Sequence, residues 1–312
     1  MPQCTFPTMA RCFVTRRLPG DALERLATEH EVEITDALRE RAGSAEGLLT
    51  MLTDKIDAEL IEAAPRLRAI SNYAVGVDNV DLEAATRRGI PVGHTPDVLT
   101  DATADLAVGL MLAVARRIVE GDELVRRGEW PPWGPEVFLG RDLHAAAVGI
   151  VGFGRIGQAV ARRAEGFEAE VLHTSRSGGV SLEELLERSD FVSLHTPLTP
   201  ETRGLIDADA LARMKPTAYL VNTARGPIVD TGALTRALHD GDIAGAALDV
   251  TDPEPLPAHH PLLEAPNLVV LPHIGSATHA TRQAMADLAV DNLLAGLAGE
   301  RMPRCANPEV YG

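Results

Sequence analysis

Three residues in the last third of the chain have the types that a proton-coupled transfer needs, and each comes shortly after an apolar run. Arg225 stands in "VNTARGPIVD", Glu254 in "DVTDPEPLP" and His273 in "LPHIGSAT". An arginine just past the end of a parallel strand offers a planar, two-pronged donor to a substrate carboxylate. A carboxylate set against an imidazole orients the ring and favours its charged form, which suits a proton donor near neutral pH. Taken singly, each has a plainer use: the arginine on a solvated surface, the histidine as a cap or packing residue. Together, each just beyond a strand of one domain, they read as an acid, its carboxylate partner and a carboxylate clamp.

"AVGIVGFGRIGQAV" sets Gly152-x-Gly154-x-x-Gly157 between a predicted strand and a predicted helix. Gly152 permits the tight turn, Gly154 lets the backbone approach a pyrophosphate, and Gly157 allows close packing of helix on strand. The helix N-terminus adds free N–H groups and a favourable dipole for the anion. Ser175 lies 18 residues past Gly157, where a dinucleotide fold that prefers NAD carries an acid for the ribose hydroxyls. Here "VLHTSRSGG" reads as a strand end running into a loop that holds Ser175, Arg176 and Ser177, and no Asp or Glu occurs between Glu170 and Glu183. A carboxylate would repel a 2′-phosphate, whereas an arginine flanked by hydroxyls binds one. The expected cofactor is NADP(H), with NAD(H) possible.

In the first hundred residues, "RCFVT", "EVEI", "GLLTML" and "LRAISNYA" alternate with helical patterns, the signature of parallel βα units. "LTDATADLAVGLMLAVARRIVEGDELVRRG" reads as one long helix joining two domains, and a loop rich in proline and glycine with Trp130 and Trp133 follows it. Six more strands, from "AAAVGIVGFG" to "NLVVLPH", suit a doubly wound dinucleotide domain. A last amphipathic helix, Thr278 to Gly296, could return the chain to the first domain. The predicted fold class is α/β, with two open parallel-sheet βα domains, one of them a Rossmann domain. Residues 1–99 and 284–312 form the substrate-binding, flavodoxin-like domain in this reading, residues 100–283 form the NAD(P)-binding domain, and the active site lies in the cleft between them.

Composition removes several function classes. The net charge of −16 opposes a nucleic-acid or acidic-membrane partner. Cys4, Cys12 and Cys305 are odd in number and widely spaced, against a disulfide framework or a cysteine metal site. His259 and His260 have no partner at metal-ligand spacing and read as exposed, so no metal is expected. No apolar run is long enough for a signal peptide or a membrane span, and a soluble cytoplasmic protein is expected.

With these residues in hand, the chain resembles the D-2-hydroxyacid dehydrogenase family over nearly its whole length. The resemblance rests on "YAVGVDNVDLEAATRRGI", "GIVGFGRIGQAVARR", "DFVSLHTPLTPETRGLI", "NTARGPIVD", "ALDVTDPEPLP" and "LPHIGSAT". Through "GHTPDVLTDATADLA", "EPLPAHHPLL" and "NLLAGLAGERMP" it is most similar to the glyoxylate/hydroxypyruvate reductase branch, although Asp105 stands where the family usually has Glu. The resemblance implies a catalytic trio of Arg225, Glu254 and His273, with His273 protonating the keto oxygen as hydride arrives. It implies backbone amides of Val75 and Gly76 for the substrate carboxylate, Leu52 near the substrate, and Trp133 reaching a partner subunit's site in a homodimer. For the cofactor it implies Thr103, Arg155, Ile156, His195, Pro197, Thr202, Thr223, Asp249, Gly275 and Ser276 beside the glycines and the Ser175–Ser177 clamp.

The leading expectation is thus an NADPH-preferring reductase of glyoxylate and hydroxypyruvate. Its rivals are a D-3-phosphoglycerate, D-lactate or phosphite dehydrogenase of the same family, and a nucleotide-sensing corepressor-like interaction protein, because fold alone does not decide function.

Overall fold

Short runs of Val, Leu, Ile and Ala that are buried on both faces form parallel strands here, as covered parallel sheets require. The computed structural model describes residues 9–312. Its contacts separate two units, one running up to Leu99 and resuming at Ala277–Gly312, the other Thr100–Ser276. Cys4 lies outside the described residues. Cys12 and Cys305 are free thiols, and burial pushes the Cys12 thiol up to about 12.

The first unit carries β1 (Arg11–Val14), β2 (Glu31–Ile34), β3 (Gly47–Met51), β4 (Ala69–Tyr73) and β5 (Val92–Gly93), in the order β2-β1-β3-β4-β5. All pairings are parallel. The two-residue β5 was not among the strands read from sequence, because it is too short to show a period. The C-terminal segment covers it: Val92 N–H donates to Asn307 Oδ1 at 2.8 Å, and Ala306 N–H to Val92 O at 2.7 Å. The helix His279–Ala298 is N-capped by Thr278 and stopped by Gly299. It buries Met285, Ala289, Val290 and Leu293 against β3 and β4. Because the whole helix from its cap belongs here, the chain returns at Ala277, earlier than the residue 284 expected from sequence.

The second unit holds β6 (Ala147–Val151), β7 (Glu170–Ser175), β8 (Gly178–Gly179), β9 (Phe191–Leu194), β10 (Tyr219–Asn222), β11 (Gly245–Leu248) and β12 (Leu268–Val270). Their order is β12-β11-β10-β9-β6-β7-β8, so the connections reverse direction between β6 and β9, the point where such sheets bind ligands. Val148, Ile150, Phe191, Val221 and Ala247 face one buried layer, and Val192, Leu194, Leu220, Ala246 and Leu248 face the other.

Two expectations are corrected here. The segment read as one long helix is two, Thr100–Ala115 and Ile118–Arg126. Ala115 O accepts from Arg141 N–H at 3.0 Å instead of continuing the helical ladder, and Arg117 turns left-handed at φ 53°. The stretch after β7 is not an open loop, because Gly178–Gly179 pairs back antiparallel on Thr174 and Ser175 as a tight hairpin. Among the described residues no helix is long and apolar enough to cross a membrane, and no group of His, Cys, Asp or Glu is placed to hold a metal ion.

Candidate active site

The glycine turn links β6 to the helix Arg155–Glu165 and needs glycine for space. A Cβ on Gly152, which sits at φ +94°, would lie 2.6 Å from the backbone of His195, and one on Gly157 would lie 2.2 Å from Gly152 O. These contacts seat the helix against the ends of β6 and β9. Gly154 caps that helix in open space. The turn borders a cavity of about 460 Å³ whose lining includes Phe153, Ser175, Arg176, Ser177, His195 and Pro197. The size suits part of a dinucleotide rather than a metal or a single anion.

Arg176 and Ser177 occupy the tip of the β7–β8 hairpin. The Ser175 hydroxyl lies 3.0 Å from Ser177 Oγ and 3.1 Å from Gly178 O, so the turn is internally braced. The Glu201 carboxyl is held below its usual range first by a Thr199 hydrogen bond and also by the positive charge of Arg176, which places an acid within electrostatic reach of the hairpin tip. His195 turns its Nε2 toward Ser193 Oγ at 2.8 Å, and burial pushes its pKa down to about 4. Thr202 Oγ1 donates to Pro197 O at 2.7 Å and shapes the loop after β9.

The three candidate chemical residues meet at the carboxyl ends of β10, β11 and β12. His273 Nδ1 lies 2.6 Å from Glu254 Oε1. Burial works to raise the Glu254 carboxyl, but the hydrogen bond and charge of His273, the Thr251 amide and Arg225 outweigh it and hold the group below its ordinary value. His273 adopts a left-handed φ of 56°, uncommon outside glycine. Asp249 secures that conformation: its carbonyl accepts from His273 N–H at 2.9 Å, and its two carboxylate oxygens accept from Ile274 and Gly275 N–H, each at 2.7 Å. Asp249 is 1% exposed, and burial raises its pKa against the pull of those amides. Thr103 Oγ1 then donates to Gly275 O at 3.2 Å, tying the same loop to the helix Thr100–Ala115.

Arg225 is presented by a turn built on Asn222, a fully buried residue. Asn222 Nδ2 donates to Arg225 O at 2.8 Å, and its Oδ1 accepts from Ala224 N–H at 3.0 Å. The next residue must be glycine, since a Cβ on Gly226 would lie 1.9 Å from Thr251 O. That close approach brings the Arg225 turn against the start of the Glu254 loop. Among the described residues the buried Thr223 hydroxyl, like that of Thr95 in the first unit, has no hydrogen-bond partner, so it is open to a ligand atom.

Comparison with known proteins decides the family. The model of the "D-isomer specific 2-hydroxyacid dehydrogenase, NAD binding domain" matches residues 108–275. The chain is 49% identical to the glyoxylate reductase of Pyrococcus furiosus, covering 96% of each sequence, and 48% identical to that of Thermofilum pendens, covering 96% of this chain and 95% of the relative. The chain belongs to the D-2-hydroxyacid dehydrogenase family. Among solved structures it is similar to the TT0316 protein of Thermus thermophilus, with a TM-score of 0.91 and 52% identity over 95% of this chain and 99% of that one. It is also similar to an NADPH-dependent glyoxylate/hydroxypyruvate reductase from Sinorhizobium meliloti solved with NADP and malonate, with a TM-score of 0.86 and 34% identity over 96% and 98% of the two chains. It is therefore an NAD(P)-dependent dehydrogenase with two parallel-sheet α/β domains.

Within this dehydrogenase the residues singled out from sequence fall into distinct places. Arg225, Glu254 and His273 gather with Thr103, Thr223, Asp249, Gly275 and Ser276 at one end of the second sheet. The glycine turn with Arg155 and Ile156, the hairpin, and the segment from His195 to Thr202 cluster around β6, β7 and β9. In the first unit Leu52 lies in the turn after β3, and Val75 and Gly76 lie in the bend after β4. Trp133 is 89% exposed. His260, read as exposed, is half-buried, and its Nδ1 accepts from Leu262 N–H at 3.2 Å as a cap. Sequence reasoning missed the supporting parts, Asn222 and Gly226. Their signal was the Asn and Gly that bracket "TAR".

Proposed function

We propose that this dehydrogenase reduces small 2-oxo acids, glyoxylate and hydroxypyruvate above all, and prefers NADPH. The observation that carries the reading is the His273–Glu254 pair at 2.6 Å beside the Arg225 turn, on the ligand-binding end of a dinucleotide sheet. The glycine turn, the cavity beside it and the orphaned Thr223 hydroxyl fit a nicotinamide dinucleotide, which when bound supplies the hydride.

The residues of the chain do the remaining work. His273 gives its proton from Nε2 to the keto oxygen as negative charge develops there, while Glu254 on Nδ1 keeps the ring oriented and compensates its charge. Arg225 holds the carboxylate and polarises the carbonyl with its guanidinium. In the first unit, the open amides of Val75 and Gly76 suit a carboxylate, and Leu52 lies in the neighbouring turn after β3. Arg176, Ser175 and Ser177 receive the 2′-phosphate, and the relative from Sinorhizobium meliloti is NADPH-dependent and was solved with NADP.

A second copy of the chain covers the apolar surface of Ile118, Val125, Trp130, Trp133 and Leu139, all of them exposed, so that the working form is a homodimer. The helix Ile118–Arg126 buries none of its own residues, which is the pattern of an element awaiting a partner. Cytoplasmic residence accords with these metabolic substrates.

The test follows absorbance at 340 nm with NADPH or NADH crossed against glyoxylate, hydroxypyruvate and pyruvate. Fast oxidation of NADPH with the first two supports the reading. A preference for NADH removes the hairpin as a phosphate clamp, and no turnover with any 2-oxo acid removes the substrate class.

A further inference from the structure

The bend after β4 has an unusual arrangement of its peptide groups. Three successive carbonyls are each taken by a partner within the first unit. Ala74 O accepts from Thr95 N–H at 2.8 Å, Val75 O lies 2.9 Å from His94 Nδ1, and Gly76 O accepts from Asn72 Nδ2 at 3.1 Å. A peptide group is planar and trans, so pinning the carbonyl of one residue aims the N–H of the next in the opposite direction. The three contacts therefore set the directions of the Val75, Gly76 and Val77 amides. None of those amides donates to another group among the described residues. Adjacent open N–H groups of this kind suit an anion such as a carboxylate.

We infer that His94 is a positioning residue for substrate binding: by holding Val75 O it aims the Gly76 amide at the carboxylate of the 2-oxo acid. A carbonyl only accepts, so Nδ1 of His94 carries the hydrogen in this contact. The ring is itself fixed at its backbone, where His94 N–H donates to Arg304 O at 3.2 Å and His94 O accepts from Asn292 Nδ2 at 2.9 Å. Asn292 is fully buried, so the support is rigid.

The far side of the bend is braced by a reciprocal amide pair. Asn72 Nδ2 donates to Asn79 Oδ1 at 3.0 Å, and Asn79 Nδ2 returns a bond to Asn72 Oδ1 at 3.2 Å. Asn79 also reaches Met51 O at 3.0 Å and Asp54 O at 2.9 Å, which fixes the turn that carries Leu52. One side of the cradle is thus set by the reciprocal Asn72–Asn79 pair, of which Asn72 is fully buried. His94 supplies the other side through a single side-chain bond, and for that reason it is the point at which carboxylate affinity is adjustable.

This inference rests on the reading that the bend after β4 receives a 2-oxo acid, and the experiment separates the two. Oxamate, an unreactive 2-oxo acid mimic, is titrated into ¹⁵N-labelled protein saturated with NADPH, while KM for glyoxylate and for NADPH is measured in parallel for wild type, His94→Leu and His94→Asn. Asparagine places its Nδ2 donor near the position of histidine Nδ1, and leucine has no donor. The expected result is oxamate-dependent shifts of the Val75 and Gly76 amides in wild type, weakened in His94→Leu. KM for glyoxylate rises about tenfold in His94→Leu, the loss of one partly buried hydrogen bond, and returns toward wild type in His94→Asn. KM for NADPH stays within about twofold of wild type throughout, as expected for a contact made wholly within the first unit.

Absence of amide shifts in wild type overturns the carboxylate reading of the bend. Shifts present in wild type with glyoxylate KM unchanged in folded His94→Leu, or with His94→Asn no better than His94→Leu, overturn the role of His94. If His94→Leu fails to fold, His94→Gln replaces it, since its donor stands one methylene too far. Equal KM values for His94→Asn and His94→Gln then overturn the inference.

Discussion

Nδ1 of His273 meets Oε1 of Glu254 at 2.6 Å although the histidine holds a left-handed backbone that few non-glycine residues adopt. The conformation persists because Asp249 engages the backbone of His273, Ile274 and Gly275 at once. Replacing His273 with Ala leaves that clamp intact and removes only the imidazole. Turnover of glyoxylate should fall about 10²–10⁴-fold, the usual worth of a positioned general acid, with NADPH affinity little changed. Stopped-flow turnover alongside cofactor titration by fluorescence checks both, and near-normal turnover would falsify the assignment.

The Glu254 carboxyl is depressed below its ordinary value of 4.5, with burial opposing the shift and the His273 contact driving it. A depressed acid contributes stability that is present above its unfolded pKa and lost as pH falls through the folded value. Glu254→Gln should therefore be less stable than wild type near pH 7, and the gap should narrow once the pH drops below about 4. Urea denaturation across pH 3–7 reads this difference. A gap that stays constant would show that the carboxylate charge does not stabilise the pair.

His195 gives a separate pH signature with the same sign. Its folded pKa of about 4 lies below the ordinary 6.5, so between those values the unfolded chain binds the extra proton. Stability should be complete above pH 6.5 and decline toward pH 4, by at most about 1.4 kcal/mol per pH unit from this group. In His195→Asn the decline over that window should flatten, as seen by denaturation of the cofactor-free protein.

Gly226 sits where a Cβ would strike Thr251 O at 1.9 Å. Gly226→Ala must push the Arg225 turn away from the Glu254 loop, at a cost of about 1–3 kcal/mol. The expected outcome is a lower melting temperature together with a loss of kcat greater than that of a surface Gly→Ala control such as Gly109→Ala, whose Cβ meets open space on an ordinary backbone. Unchanged kcat would mean that the contact of the two loops does not matter to the chemistry.

In the proposed reading, Arg176 at the hairpin tip sets the cofactor preference. Arg176→Ala should raise KM for NADPH by about one order of magnitude or more and leave KM for NADH near wild type. Equal losses for both cofactors would locate the 2′-phosphate elsewhere.

The family, the glycine turn and the three candidate residues of the proposed chemistry were legible in the sequence because each depends on local features. Gly152, Gly154 and Gly157 have a spacing that only a strand-turn-helix uses, and Arg225, Glu254 and His273 each follow an apolar run that had to be a strand. Chain order also implied a doubly wound sheet. Local pattern could not show that Ala115 O would be claimed by Arg141 and end a helix, nor that Gly178 and Gly179 would fold back on β7. It could not show that β5 would be completed by residues more than 200 positions later, or that His94 would pin the bend after β4. These contacts join residues far apart in the chain, and their energies depend on where the packed strands place the backbone. The candidate residues were legible in residue type and spacing, while the aim of each group was decided only when distant carbonyls and amides found one another.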